Sequence, residues 1–400
     1  MRGNESPQSI LMISHNDSEG GAARAALRLN SCFISENMSS KFLVAKKFSN
    51  LESVYSLNNF RKFLCKIFSR LDTYICKIAD PTSKEWKSAA YFGAIAARNI
   101  NKSNFSVINL HWIGHGLISF RQLNKIRKPI IWTLHDEWIL NPYSHYPSSQ
   151  NKKINLIRRI LSSLRLRVKF NFILKDNVYF VCVSETLATK LKNRFPSKAN
   201  HIAVIPNPVD LSVYFPDQSE KGITEIVSRK PYVLFLGGVS DSRKGWDLLK
   251  ESIRFTTKKY ALVMVGESEC IYLNKNLELI SIKKVNEAEV LRQLYSNASA
   301  VVVPSRAEQL PQVATESISC GTPVIAFGID GLKDIILKNQ TGILVEPFDT
   351  ESFSKAIDSL LFIEKSVYLN SCRDFAEKNF SFKVIANKYK NLTEQVSRCR

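Results

Sequence analysis

Short apolar runs punctuate the chain, each closed by a turn signal and followed by a stretch of helical period: ILMIS (10–14), KFLVA (41–45), VINLHW (107–112), PIIWTLH (129–135) and YFVCVS (179–184). Unbroken apolar runs, rather than strict alternation, are what strands buried on both faces show, and their alternation with helices predicts a parallel, doubly wound sheet. The pattern stops at HIAVIPNPVDLSVYFP (201–216), where Pro206, Asn207 and Pro208 break any regular element. It restarts with YVLFLGG (232–238), ALVMVGE (261–267), LELISI (277–282), AVVVPS (300–305), PVIAFG (323–328) and GILVEP (342–347). The fold class read from this is α/β, with two Rossmann-like domains at 1–205 and 206–379. Where two such sheets face each other, a ligand site is expected in the cleft at the carboxyl ends of the strands. Phe382, Ile385, Tyr389 and Leu392 give the tail, 380–400, the spacing of a helix that packs back toward the first domain.

Composition narrows the classes. With 44% hydrophobic and 10% aromatic residues the chain can bury sizeable cores, and no apolar run approaches the roughly 20 residues of a membrane span. The start, MRGNESPQSILMIS, lacks the basic and apolar plan of a secretory signal, which points to the cytoplasm. Eight cysteines form no CxxC pair, so buried thiols are expected rather than a zinc site or disulfides. The net charge of +20 asks for an anionic partner: nucleic acid, an acidic membrane surface or a phosphorylated substrate.

Four constellations carry candidate chemistry. In HNDSEGGAARAALRL (15–29), Gly20 and Gly21 let the chain turn from strand to helix and offer backbone N–H groups to an anion, although such a turn also serves plain close packing. In NLHWIGHG (109–116) and WTLHDEW (132–138), His111 and His135 each end an apolar strand, and Asp136 adjoins the second, which suggests a polar active-site edge. No helix-spaced HxxxH or third ligand is evident, so no metal is expected. In LGGVSDSRKGWDLL (236–249), Arg243 and Lys244 suit a diphosphate, or else form a solvated basic turn. In EQLPQVATESISCGTP (308–323), Glu308 lies in a loop and Glu316 in a helix starting near Pro311. The free N–H groups there suit a phosphate or sugar hydroxyl, Glu316 a ribose diol, and Glu308 the group beyond the phosphates.

Glu308 and Glu316 with CGTPVIAF (320–327), the linker VIPNPVD (204–210), RKG (243–245), VSE (183–185) and GGAARAA (20–26) together resemble family 4 retaining glycosyltransferases of GT-B fold. With NLHWIGHG and WTLHDEW, the chain looks most like the exopolysaccharide branch that includes colanic-acid-type enzymes. The resemblance implies no cofactor and a nucleotide-diphosphate sugar as donor substrate. It implies that Glu316 binds the ribose, Lys244 and Arg243 the diphosphate, and Glu308 the donor sugar, with the backbone of Gln309, Leu310 and Pro311 against sugar and phosphate. Gly20 and Gly21 would line the phosphate side, and His135 would approach the reacting centre. His111, Asp136 and His145 would lie on the acceptor side. The acceptor implied is a glycan on a polyprenyl diphosphate. Three departures stand out: no arginine soon after Gly237, EQLP in place of EGFGLP, and no cysteine-rich insert after WTLHDEW, where NPYSHYPSSQNKK (141–153) stands instead.

The positive charge gathers in two runs. Lys152 to Lys175 holds eight basic residues and no acid, with Ile154, Ile157, Leu161, Leu164 and Val168 at helical spacing, and RKFLCKIFSRLDTYICKI (61–78) repeats the plan. Basic amphipathic helices suit an anionic membrane, and the location read from them is cytoplasmic and peripheral, at the inner face of the plasma membrane. Nucleic-acid binding is the rival for so basic a chain, but no helix-turn-helix, RNP, KH or zinc-finger pattern is present, and aliphatic rather than aromatic residues interleave the charges. A nucleotide-sugar epimerase would share the fold, yet has no use for a membrane face. A catalytically silent sugar-nucleotide-binding subunit is set against by Glu308, Glu316, His135 and Lys244 standing together.

Overall fold

The computed structural model describes residues 9–79, 87–146, 156–217, 231–266, 275–283 and 287–398, with positions 219, 223, 227 and 285 singly. Two compact α/β units make up the chain: Met1–Ile205 with Ile385–Arg400, and Pro206–Val384. Both are Rossmann-like, with wholly parallel sheets.

In the first unit the strands are β1 Ser9–Asn16, β2 Ser39–Lys46, β3 Val54–Ser56, β4 Val107–Leu110, β5 Ile130–Leu134, β6 Val178–Cys182 and β7 Ile202–Val204, in the spatial order β3-β2-β1-β4-β5-β6-β7. The order reverses between β1 and β4, and this is the switch point at which open α/β sheets bind ligands. The central strands β4, β5 and β6 are buried at every position, as their apolar runs require. The edges β3 and β7 are three residues long. The expected stop at 201–216 is thus a stop with one more strand in it, because Ile202–Val204 pairs with β6 before Pro206 ends the sheet.

Helices α1 Gly21–Ser35, α2 Asn59–Ala79, α3 Ala97–Asn101, α4 Phe120–Leu123, α5 Leu156–Ile173 and α6 Glu185–Arg194 belong to this unit. Ser184 caps α6 by accepting from the Leu187 N–H (3.2 Å), which is why VSE reads as a strand-to-helix boundary.

The second unit holds β8 Tyr232–Leu236, β9 Tyr260–Val265, β10 Leu277–Ile282, β11 Ala300–Val303, β12 Val324–Phe327 and β13 Gly342–Val345, in the order β10-β9-β8-β11-β12-β13. Its helices are α7 Trp246–Ile253, α8 Ala288–Asn297, α9 Gln312–Ser319, α10 Leu332–Ile335, α11 Thr350–Leu360 and α12 Ser366–Phe380. Here the order reverses between β8 and β11, so the loops after these two strands flank the switch point.

Ser381 separates α12 from α13, Phe382–Arg398, whose buried face carries Ile385, Tyr389 and Leu392. Within the first unit the Tyr389 ring meets Phe33 edge-on at 5.1 Å, and its hydroxyl bonds Thr133 Oγ1 at 2.8 Å.

Candidate functional site

Both switch points gather the chemistry, and they do so with different materials. In the first unit, β1 ends in His15, Asn16 and Asp17. Asn16 Oδ1 accepts from the Ser18 and Glu19 N–H groups (3.1 and 2.7 Å), and Asp17 holds the Phe48 and Ser49 backbone (2.8 and 2.9 Å), so the loop enters α1 in a fixed turn. Gly20 takes φ +92° before the first helical residue, and no atom lies within 4 Å of where its side chain would begin. The start of the helix is therefore open to an approaching group. Ala22 of this turn shares a cavity of about 20 Å³, the room of one water, with His111, His135 and Asp136.

His135 stands just after β5, half-buried, and a chain of hydrogen bonds sets its tautomer. Asn109 Nδ2 donates to the Ile131 carbonyl (3.0 Å) and to Thr133 Oγ1 (2.9 Å), so Asn109 Oδ1 faces His111 Nε2 (2.9 Å) as an acceptor. His111 Nε2 then carries the proton, His111 Nδ1 accepts, and His135 Nε2 donates to it at 3.0 Å. His135 Nδ1 is left as the accepting nitrogen. Burial pushes His135 down to about 4, against the pull of Asp136, and His111 well below its ordinary value through burial and then His135. Both rings are neutral at neutral pH. His111 is 2% exposed with both nitrogens engaged, so it acts on a ligand only through His135.

Beyond His135 lies a cluster that the sequence did not assemble. His145 Nδ1 bonds Asp136 Oδ2 at 2.5 Å, and its ring lies 4.5 Å from that of Trp112. His115 meets both Trp112 and His15 at 5.9 Å. Five of the six histidines thus gather at the ends of β1, β4 and β5. Burial, then Lys46, lowers His15 to about 4; burial, then His15, His145 and Lys46, lowers His115 to about 3. Burial pushes the Asp136 carboxyl upward, but the His145 ring beside it more than offsets this and holds it below the usual range. His15 Nδ1, His145 Nε2 and Trp112 Nε1 are buried without a protein partner, so three ring nitrogens of the cluster are left to be satisfied by something other than the chain. Among the described residues, no group of three or more His, Cys, Asp or Glu is placed to hold a metal ion.

The second unit uses paired charges. After β8 the chain passes through a 3₁₀ turn, Ser242–Lys244, into α7. The turn depends on Gly245, which has φ +68° and would place a Cβ 1.8 Å from the Pro304 carbonyl oxygen. This close approach seats Lys244 beside the loop after β11, where its ammonium bonds Glu308 Oε1. Ser305 Oγ reaches the same oxygen at 3.4 Å, and the Glu308 N–H donates to Asp330 Oδ2 at 3.3 Å. Asp330 holds φ +37°, unusual for a residue with a side chain and common at functional sites.

Arg243 is turned onto Asp241 (2.6 Å), while Arg306 forks onto Asp247 (2.7 and 2.5 Å) and bonds the Ser242 carbonyl, tying the two loops together. Gln309, Leu310 and Pro311 are buried ahead of α9. Glu316, 6% exposed, lies on the second turn of that helix and accepts from the Tyr295 hydroxyl at 3.0 Å. Burial, then Glu316, raises Tyr295 well above its ordinary value, so it remains a donor.

Residues 217–380 match the family model described as glycosyl transferases group 1, and residues 69–213 match that of glycosyltransferase family 4; between them they take in most of the chain. The chain is a GT-B glycosyltransferase of the family 4 type. The transferase is 25% identical over 330 residues to an uncharacterized 41.2 kDa protein in the cps region of Klebsiella pneumoniae, a match covering 77% of this chain and 84% of that one. Its fold is similar to sucrose-phosphate synthase from Thermosynechococcus elongatus (TM-score 0.69, 18% identity, 98% of this chain and 100% of that one). It is also similar to HepE of Anabaena in complex with UDP-glucose (TM-score 0.63, 16% identity, 97% and 99%).

Of the residues singled out from sequence, the structure brings Lys244 directly onto Glu308, places Glu316 on the same stretch, and groups Gly21's helix, His111, His135 and Asp136 around one small cavity. Tyr295, Asp330, Ser305, His15, Trp112 and His115 were not singled out. Tyr295 carries no local signal, since it and Glu316 are 21 positions apart and Lys244 and Glu308 64, whereas His15, Trp112 and His115 lie inside the stretches 15–29 and 109–116 and could have been found there.

Proposed function

We propose that this transferase is a retaining enzyme that moves a hexose from a nucleotide-diphosphate sugar to a lipid-linked glycan acceptor in bacterial cell-surface polysaccharide synthesis. The observation that carries the donor half is the convergence of Lys244, Glu308 and the start of α9, with Glu316, on the loops after β8 and β11. A cation beside a helix start suits a diphosphate, and a buried carboxylate on the same helix suits a ribose diol. The complex of HepE with UDP-glucose and the cps region of the Klebsiella relative agree with this reading.

In the reaction, an acceptor oxygen bonds to the anomeric carbon on the face from which the diphosphate leaves, the anomeric carbon–oxygen bond breaks, and the acceptor proton passes to a diphosphate oxygen. Lys244, Arg243 and the N–H groups ahead of α9 stabilise the departing anion, which supplies much of the rate. Neutral His135 takes a hydrogen bond from a hydroxyl of the reacting sugar at Nδ1. The acceptor is carried by a membrane lipid, and the enzyme works at the inner face of the plasma membrane.

The test is a thermal-shift panel of UDP-, GDP- and ADP-sugars, with a short DNA duplex as control, on the wild type and Glu316→Ala. A rise in melting temperature with one nucleotide class, lost in Glu316→Ala, is expected. A rise with DNA alone would overturn the reading.

A further inference from the structure

Helices α2 and α5 each bury charge alongside their core-facing apolar residues, Cys65, Cys76 and Ala79 of α2 and Phe172 and Ile173 of α5, and turn further apolar residues outward. An ordinary surface helix buries its apolar stripe and shows its charges to water. Helix α2 instead buries Asp72, whose carboxylate accepts from the Ala89 and Ala90 N–H groups (3.0 and 2.9 Å) and from Ser88 Oγ, while it exposes Phe60, Phe63, Ile67, Leu71, Tyr74 and Ile78. Phe60 is 69% exposed and Tyr74 64%. Helix α5 buries Arg165 and Lys169, 1% and 0% exposed, and presents Leu156, Ile160, Leu164 and Val168 to the outside. Its buried charges are housed: Lys169 Nζ lies 3.7 Å over the Trp138 ring and donates to the Trp138 and Asn141 carbonyls, and the Arg165 guanidinium lies 4.5 Å over Phe120. The two helices pack on one another.

The outer surface of α2 is ordered further. At about 100° per residue, Lys62, Lys66, Arg70 and Lys77 fall some 80 to 160° around the helix from Asp72, and the six exposed apolar residues fall at about 180 to 260°. A basic rail therefore runs beside an apolar ridge for the length of the helix. Asp72 is the helix's sole acid and is buried; α5 has no acid at all.

We propose that the α2–α5 face docks on an anionic bilayer, with the apolar ridge entering the boundary between headgroups and acyl chains and the rail lying at headgroup level. Apolar side chains set this thickly along one exposed helix mark a surface that something covers. The all-basic flank selects an anionic lipid surface, whereas a second copy of this +20 chain on the same face would bring like charges together. The proposal rests on the lipid-borne acceptor for its purpose only, and its test does not use activity or donor binding.

The experiment is flotation of the full chain with mixed phosphatidylglycerol–phosphatidylcholine vesicles and with pure phosphatidylcholine vesicles, at low and high salt. The wild type is expected to float with the anionic vesicles and to retain part of that binding at high salt, because the ridge is not screened. The triple variant Phe60→Ser, Phe63→Ser, Tyr74→Ser should partition about 10-fold or more less well at either salt. Changing Lys62, Lys66, Arg70 and Lys77 to Gln should weaken binding about 10-fold or more at low salt and reduce the salt dependence. These side chains are exposed, so melting temperatures should stay within a few degrees of wild type, which separates loss of docking from loss of fold. A wild type that stays with the lipid-free fraction, or a triple variant that floats like wild type, would overturn the proposal. So would a wild-type dimer that the triple variant abolishes while neither protein floats, which would make the face an interface between copies. A donor-induced thermal shift without flotation would sink the docking face and leave the transferase reading standing.

Discussion

The two units place their polar groups at equivalent topological positions and fill them with opposite materials. At the switch point of the second unit stand full charges in pairs: Lys244 with Glu308, Arg243 with Asp241, Arg306 with Asp247. At that of the first stand the imidazoles of His15, His111, His115 and His135, held neutral by burial, and the Trp112 indole, with the Asp136 carboxylate bonded to His145. Charge-assisted bonds hold a diphosphate firmly wherever its charge lies, whereas neutral donors and acceptors discriminate hydroxyls by direction. The difference teaches a division of labour: the second unit is suited to gripping an anion, and the first to orienting a sugar.

The largest effect expected from this comparison is on the charged side. Lys244→Met removes the cation and leaves Glu308, 8% exposed, without it. Turnover should fall about 10- to 100-fold or more, and stability by about 1 to 3 kcal/mol from the unpaired carboxylate. Adding Glu308→Gln should restore most of the stability and none of the activity. If the double variant regains turnover, the ion pair serves the fold alone, and the contrast between the units fails on this side.

How much of this was legible in the sequence follows from the reach of each signal. Strands β4, β5, β6, β8 and β11 are buried on both faces, so their apolar runs declared them. β3 and β7 are three-residue edges too short for any period, and β7 ran on into the Pro206 break. Glu308 and Glu316 were readable because one short segment holds both. Their partners Lys244 and Tyr295 arrive from other loops and could not be paired beforehand. The basic helices were recognised as amphipathic, yet which face turns inward was not legible. Leu164 and Val168, at helical spacing, are exposed, and Arg165 and Lys169 are buried, because Phe120, Tyr91 and Trp138 offer aromatic faces beneath α5. Ile154 of that same spacing lies outside the described residues.

A second way to sharpen the comparison is acid. His15, His135 and His115 titrate at about 4, 4 and 3 in the folded chain, against about 6.5 for an unfolded histidine. The unfolded chain therefore takes up protons first as pH falls, so their contribution to stability is complete above pH 6.5 and is lost on descending toward 4 and below. The second unit's depressed carboxylates, Asp217, Asp349 and Asp247, the last held low by Arg306, give way only as pH falls below the ordinary aspartate value of 3.8. Urea melts followed by tryptophan emission should show the first unit, with Trp86, Trp112, Trp132 and Trp138, weakening by about 1 kcal/mol or more per pH unit near pH 5, before Trp246 of the second reports any change. Equal loss at both sets of tryptophans, or none above pH 4, would remove the imidazole cluster as the distinguishing feature of the first unit.

The smallest effect belongs to the tautomer of His135, and it tests whether the first unit's neutrality is arranged or incidental. Asn109→Leu keeps a buried side chain of similar size but deletes the oxygen that fixes the proton on His111 Nε2. His111 is then free to hold its proton on Nδ1 and donate toward His135, whose Nε2 must become the acceptor and whose Nδ1 takes the hydrogen. Imidazole nitrogen NMR on the six-histidine chain reads this directly: the wild type should show His135 protonated at Nε2, and the variant a shift toward Nδ1. Turnover should fall about 3- to 10-fold, the scale of one neutral hydrogen bond of roughly 0.5 to 1.5 kcal/mol, with the apparent affinity for donor nearly unchanged because the charged contacts of the second unit are untouched. Tyr389→Phe, at the far end of the same chain of bonds, should leave the tautomer in place, since Thr133 can still accept from Asn109. A variant that keeps Nε2 protonated yet loses the same activity would assign Asn109 to packing, and His135 would have to owe its orientation to Asp136 and the cavity beside α1 instead.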